Sequence, residues 1–299
     1  TPRPGIMIGL DFTQQYILKL GIIFLGIRLS FADFIKFGSI AIPLIIICIV
    51  GVLILVKLLI KKVPISSKMS YLIAIGTSVC GATAIVATAP VINAKKSEVA
   101  YAIANITLFG VIAMLLYPYF AEWYFDNEAL NVGLFLGTSI HETSQVAAAG
   151  LIYDQQFNSP ETLNVATVTK LIRNTFLVIL IPLFAFLYNR GELKGQKYSI
   201  FNIFPYFVLG FIGMIIVRNL GDQLYPAESN NHQIWVNLIE YFKILTTVFL
   251  TMAMAAVGIS INLDELKSMG YKTIVVGLIA AVTVKIISLI YIETLNKLI

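Results

Sequence analysis

Residues 37–56 run Phe37-Gly-Ser-Ile-Ala-Ile-Pro-Leu-Ile-Ile-Ile-Cys-Ile-Val-Gly-Val-Leu-Ile-Leu-Val56, twenty positions without a charge. About 18–20 such residues cross the hydrocarbon of a bilayer as a helix. Four more uncharged runs of that kind follow: Met69 to Ala94, Val99 to Ala121, Tyr198 to Val217 and Ile244 to Leu263. The 299-residue chain is 58% hydrophobic and only 12% charged, with a mean hydropathy of +0.87. A soluble domain carries about 25% charged residues, so there is too little charge here to coat a water-facing surface. These numbers exclude a disordered chain, a nucleic-acid binder and an ordinary soluble enzyme. The fold class they imply is all-α and polytopic in a membrane.

Outward from that run, hydropathy predicts nine membrane segments. They are Tyr16–Leu29, Gly38–Leu59, Met69–Asn93, Val99–Phe120, Leu130–Tyr153, Val165–Tyr188, Phe201–Arg218, Leu238–Ile261 and Tyr271–Leu295. Connectors such as Lys61-Lys62-Val63-Pro64 and Asn189-Arg190-Gly191-Glu192 are too short for a soluble domain, so residues 1–299 read as one transmembrane domain. The chain begins at Thr1 without a signal peptide, and preceding N-terminal spans are expected. Cytoplasmic loops are enriched in Lys and Arg. With nine spans, Arg3, Lys61, Lys62, Lys68, Arg190, Lys194, Lys197, Lys267 and Lys272 share one side, against Lys36, Lys95, Lys96 and Lys297 with Arg218 at the edge. That bias places the start inside and the end outside. The two cysteines, Cys48 and Cys80, lie in apolar runs and form no metal-ligand spacing.

Two internal similarities stand out. Gly26-Ile-Arg-Leu, with Asp33 and Gly38 downstream, resembles Gly258-Ile-Ser-Ile, with Glu265 and Gly270 at the same offsets. These lie on the first and eighth segments, which would run oppositely, as an inverted repeat requires. Gly76-Thr-Ser-Val-Cys-Gly-Ala-Thr resembles Gly137-Thr-Ser-Ile-His-Glu-Thr-Ser. Those are the third and fifth segments, which nine straight spans would make parallel. One repeat scheme does not generate both, and recurrent small residues also mark close helix packing.

The third segment, from Gly76 through Thr77, Ser78, Cys80 and Gly81 to Pro90, is unusually small and polar for a span. It reads either as a tight packing face or as a helix broken in mid-membrane, whose second half would present free N–H groups to an anion. The fifth segment places Ser139, His141, Glu142 and Gln145 at mid-span. A charge at that depth costs at least about 2.5–3.5 kcal/mol on insertion scales, so such residues face a cavity or one another. His141 and Glu142 both titrate, which suits proton coupling, although a structural pair fits as well. There is no metalloprotease motif, because Gln145 stands where a second His is needed and His232 is remote. The sixth segment opens with Lys170 and Arg173 on one helix face. They read either as side chains snorkelling to the headgroups or as the cationic wall of an anion cavity. Lys57 reads as interfacial, while Arg28 and Lys285 stay open.

These motifs, together with Leu250-Thr-Met-Ala-Met-Ala-Ala-Val-Gly258, resemble the YeiH-like sulfate exporter family in order from about Tyr16 to the end. The resemblance implies a bacterial inner-membrane, multi-pass secondary transporter related to the bile-acid symporter and sodium/proton antiporter fold. That fold has inverted repeats and crossing discontinuous helices, here the third and eighth segments. On this reading Thr77, Ser78, Cys80, Gly81, Ser139, His141, Glu142, Gln145, Lys170 and Arg173 bind a small anion such as sulfate or an organosulfur anion. His141 or Glu142 carries the coupling ion, H⁺ or Na⁺. No cofactor, metal or nucleic acid is expected; a homodimer is one expected assembly. An anion channel, or a cation-coupled carrier of an organic solute, are the rival readings. An intramembrane enzyme lacks a nucleophile–base pair.

Overall fold

The computed structural model describes residues 4–59, 65–188, 207–229, 231–260 and 271–298. Among these every regular element is helical. The first rod comprises α1 (Pro4–Phe12), a π-turn at Thr13–Ile17, α2 (Leu18–Leu25) and a 3₁₀ turn at Gly26–Arg28. Leu29 is extended and turns the chain into α3 (Phe31–Leu59). Then follow α4 (Ser67–Ser78), α5 (Ala82–Thr88), α6 (Lys96–Phe125), α7 (Ala129–Ser139), α8 (Thr143–Phe157), α9 (Pro160–Thr175), α10 (Leu177–Tyr188), α11 (Phe207–Leu224), α12 (His232–Ser260) and α13 (Tyr271–Leu298). Among the described residues five helices are long and apolar enough to cross a membrane: Phe34–Leu59, Ser97–Phe125, Pro160–Ile181, His232–Ala253 and Tyr271–Lys297. Their outward faces carry exposed Ile, Leu, Val and Tyr, such as Ile46, Ile54, Leu116 and Ile290, which water would not tolerate in such density.

The third and fifth sequence segments do not run straight through the bundle. A continuous helix over 69–93 would hold its ends about 35 Å apart. Instead Lys68 Nζ donates to the carbonyl of Asn93 at 2.8 Å, and the Ser66 hydroxyl bonds Glu98. The chain therefore enters along α4, turns at Val79–Gly81 and returns along α5, where Ile85 packs on Gly76. The fifth segment behaves alike from the opposite end. Tyr153 of α8 bonds Glu122 and donates to Asn127 Oδ1 at 3.2 Å, and Phe157 stacks edge-on against Tyr119 with centroids 6.0 Å apart. So α7 goes in, the chain turns at Ile140–Glu142, and α8 comes back. The feet of the two hairpins lie at opposite ends of α6, whose 30 residues span about 45 Å.

This corrects two expectations. Hydropathy counts a re-entrant hairpin as a span, because its length and apolar content are the same. The discontinuous pair is the third and fifth segments, whereas the eighth continues unbroken as α12 through Ser260. Residues 201–206 of the seventh segment and Ile261 of the eighth lie outside the described residues, as do Arg3, Lys61, Lys62, Arg190, Lys194, Lys197, Glu265, Lys267 and Gly270. In the first repeat pair, Gly26 opens a 3₁₀ turn while Gly258 sits inside a continuous helix, so the two places differ in structure.

The helices form two groups. The rod α1–α2 packs with α11 and α12, while α3 to α10 and α13 pack around the hairpins. The groups meet where α12 lies on α8 and at the Leu29–Ser30 link. Between them a cleft of about 750 Å³ opens at the Asp154 end, lined by Arg28, Asp154, Asn164, Glu240, Lys243 and Thr247 among others. Arg28, which the sequence left open, bridges the groups there, with Nη1 at 3.6 Å from Asp154 and Nη2 donating to Thr247 at 3.4 Å. Lys285 lies with its ammonium 3.7 Å from the Phe120 ring centre, a cation–π contact. Lys57 is exposed in the last turn of α3.

Candidate functional site

The two hairpin tips meet inside the bundle. Each is a break between two helices. In the first, Gly81 takes φ +68, a backbone region that side chains disfavour. A Cβ there would also collide with Glu142 Cγ. In the second, Ile140 and Glu142 are extended, with φ/ψ of −91/140 and −105/149. The break releases the last carbonyls of α4 and α7, which an intact helix would have bonded. Water is scarce at that depth, so these groups need partners within the protein.

Lys170 and Arg173 are those partners. Both are fully buried, which sets aside the snorkelling alternative. Lys170 Nζ donates to Val79 O at 2.9 Å, to Ile140 O at 3.0 Å and to His141 O. Arg173 Nε donates to Ser78 O at 2.7 Å, Nη1 to Thr138 O at 2.5 Å and Ile140 O at 3.3 Å, and Nη2 to Thr77 O. One helix face of α9 thus caps two C-termini with positive charge, the sign that the helix dipole favours there. A buried cation costs several kcal/mol in lost hydration; saturating every Lys donor and most of the Arg fork with carbonyls offsets that cost.

The opposite polarity comes from the second half-helices. Glu142 is the N-cap of α8, and its backbone N–H donates to Gln145 Oε1 at 3.2 Å, one arm of a capping box. Across the tips, Ala82 N–H donates to Glu142 Oε1 at 3.3 Å. The Gln145 amide fits only because α6 carries Gly110 opposite it, where a Cβ would collide with the amide.

All ten sequence-predicted residues therefore converge here. Thr77 and Ser78 end α4, Cys80 and Gly81 form its turn, Ser139 ends α7, His141 and Glu142 form its turn, Gln145 opens α8, and Lys170 and Arg173 come from α9. Several of their polar atoms are buried without a hydrogen-bond partner in the protein: Thr77 Oγ1, Ser139 Oγ, both ring nitrogens of His141 and Gln145 Nε2. Native interiors rarely leave such groups unpaired, so this concentration makes the tips the candidate site. Three further residues belong to the setting. Asn174 donates to Thr143 Oγ1 at 3.0 Å and leaves its Oδ1 unpaired. Thr169 leaves its hydroxyl unpaired, and Ser288 of α13 shares a 2.8 Å hydroxyl bond with Thr138. Asn174 was findable as the next polar position after Arg173, whereas Ser288 had no local signal. No group of three or more His, Cys, Asp or Glu that could hold a metal ion occurs among the described residues.

Membrane-length helices around a buried polar centre define a multi-pass helical membrane protein. The family model described as conserved hypothetical protein 698 matches residues 3–277, and the chain belongs to that family. It is 34% identical over 287 residues to a UPF0324 membrane protein of Fusobacterium nucleatum, covering 94% of this chain and 82% of that one. A UPF0324 membrane protein of Streptococcus agalactiae is 34% identical over 285 residues, with 94% and 81% covered. One from Clostridium tetani is 31% identical over 304 residues, with 97% and 83% covered. No solved structure matches the chain.

Proposed function

We propose that this chain is a secondary active transporter of a small anion in a bacterial inner membrane. The observation that carries the reading is the meeting of two oppositely entering hairpins at one buried, unsatisfied polar centre. Half-helix termini facing a midplane site are a recurrent transporter solution, because they offer dipoles and free backbone groups without full charges. The Gly76-Thr-Ser-Val and Gly137-Thr-Ser-Ile motifs occupy the same place in the two hairpins. Because the hairpins point oppositely, that similarity reads as an inverted repeat after all. The nine sequence segments become seven crossings and two re-entrant hairpins.

The likeness to YeiH-like sulfate exporters makes sulfate or a related oxyanion the substrate class. Ser139, His141, Gln145 and Thr77 supply donors, and Lys170 and Arg173 supply positive potential from behind the carbonyls they cap. Alternating access moves the hairpin-bearing group against the α1–α2–α11–α12 group, with the cleft beside Arg28 as one entrance. A Na⁺ site at the tips would need the carbonyls that Lys170 and Arg173 already occupy, which supports H⁺ as the coupling ion. Radiolabelled sulfate flux into proteoliposomes tests the reading. Uptake driven by a pH gradient should saturate and should vanish in Glu142→Gln and Arg173→Ala proteins. Unchanged flux in both variants sinks the assignment. Currents without saturation would point to a channel instead.

A further inference from the structure

The N-terminus of α8 is the anion-favouring end of a 15-residue helix. The chain places its own carboxylate there. Glu142 caps α8, its Oε1 accepts the Ala82 N–H of the other hairpin at 3.3 Å, and Gly81 has no Cβ to keep it away. In the same turn lie donors that reach no protein acceptor: the Ser139 hydroxyl, the His141 ring and the Gln145 amide, each at most 2% exposed. The charged and titratable groups that interact with Glu142 are Lys170 from α9 and Cys80 from the first hairpin, with His141 next to it in its own turn and Arg173 one turn beyond Lys170. From α6 Gly110 lies against the Gln145 amide, while Glu240 and Lys243 of α12 line the outer cleft.

We propose that Glu142 is a built-in stand-in for the transported anion. A small oxyanion takes the α8 N-terminus only once Glu142 is neutralised by a proton and leaves it. Two anionic groups at one helix end repel each other, whereas a protonated Glu142 leaves Lys170 and Arg173 to balance an incoming dianion. Proton and anion therefore reinforce each other's binding, and by reciprocity each raises the other's affinity equally. The inference deepens the anion-transport reading and rests on it.

Sulfate is the probe, with wild-type protein in detergent titrated calorimetrically from about pH 5 to about pH 8, upward from the ordinary carboxyl range. In weak buffer on the alkaline side, one proton should be taken up per sulfate bound, and it is there that the count is read. On the alkaline side affinity should fall about tenfold per pH unit, as linkage of one proton requires. Glu142→Gln keeps an acceptor for Ala82; its sulfate affinity should be flat with pH and at least equal to the best wild-type value. Sulfate binding by wild type without proton uptake overturns the proposal, as does a Gln variant that retains the slope. If that variant fails to fold, the wild-type proton count decides alone. Should wild type bind neither sulfate nor phosphate at any pH, the anion reading itself falls and takes this proposal with it.

Discussion

Arg173 is a cation whose first task is structural. Its guanidinium is directed at the ends of two helices that enter from opposite ends of the bundle, and its planar fork reaches the carbonyls of Thr77, Ser78, Thr138 and Ile140 at once, more acceptors than the three donors of an ammonium can serve. Truncation would leave buried carbonyls from both hairpins without a donor. Arg173→Ala should cost about 3–5 kcal/mol, the range for removing one partner of a buried charged network. Arg173→Lys should recover part of that loss. Thermal unfolding of the detergent-solubilised proteins measures both; equal melting temperatures for wild type and the Ala variant would refute the capping role. The identity of the site residues was legible because a charged or titratable residue in an apolar segment is costly and therefore conspicuous. The task of Lys170 and Arg173 was not, since their acceptors come from Thr77 to Val79 and Thr138 to His141, far away in sequence.

At the scale of elements, the decisive objects are the hairpins. Composition already pointed to a weak third segment from Gly76 to Pro90, where Gly and small polar residues replace helix formers, but it gave no such sign at Ile140–Glu142. It could not say whether the chain continues through the break or folds back. Both choices bury the same apolar residues and use the same length. Folding back is fixed by contacts between feet, Ser66 with Glu98 and Lys68 with Asn93 in the first hairpin. A Ser66→Cys/Glu98→Cys pair, in a background lacking Cys48 and Cys80, should therefore form a disulfide under mild oxidation, detected by a gel shift after cleavage between the two positions. A straight span would hold these sites about 35 Å apart, far beyond the reach of a disulfide, and no cross-link would form.

For the whole molecule, the hairpins also change which loops share a side. Lys95 and Lys96, assigned by nine straight spans to the side opposite Lys68, fall beside it once the third segment folds back. The far end of α6 carries Glu122, Asp126 and Glu128, with Asp154 and Glu161 close by. With Lys95 and Lys96 added to the Lys68 end the positive-inside bias sharpens, and it predicts that end to be cytoplasmic. A membrane-impermeant thiol reagent on intact cells should label Asn127→Cys and leave Lys95→Cys unlabelled until the membrane is opened. The reverse pattern would invert the orientation. The predicted orientation would put the Arg28 cleft on the non-cytoplasmic face, between two helix groups joined at Leu29–Ser30 by a single extended residue.

By itself the sequence determined that this is a helical membrane protein with its costly polar residues concentrated in three segments. Scarcity of charge and the period of apolar runs are local properties, and burial against lipid acts on each segment separately. Only the tertiary structure decided that two of those segments fold back, that they enter from opposite ends, and that α9 clasps both tips. Those outcomes depend on pairing orphaned carbonyls with donors some 30 to 96 residues away along the chain. Such pairings leave no periodic trace, because what selects them is the cost of leaving a polar group unpaired where water does not reach.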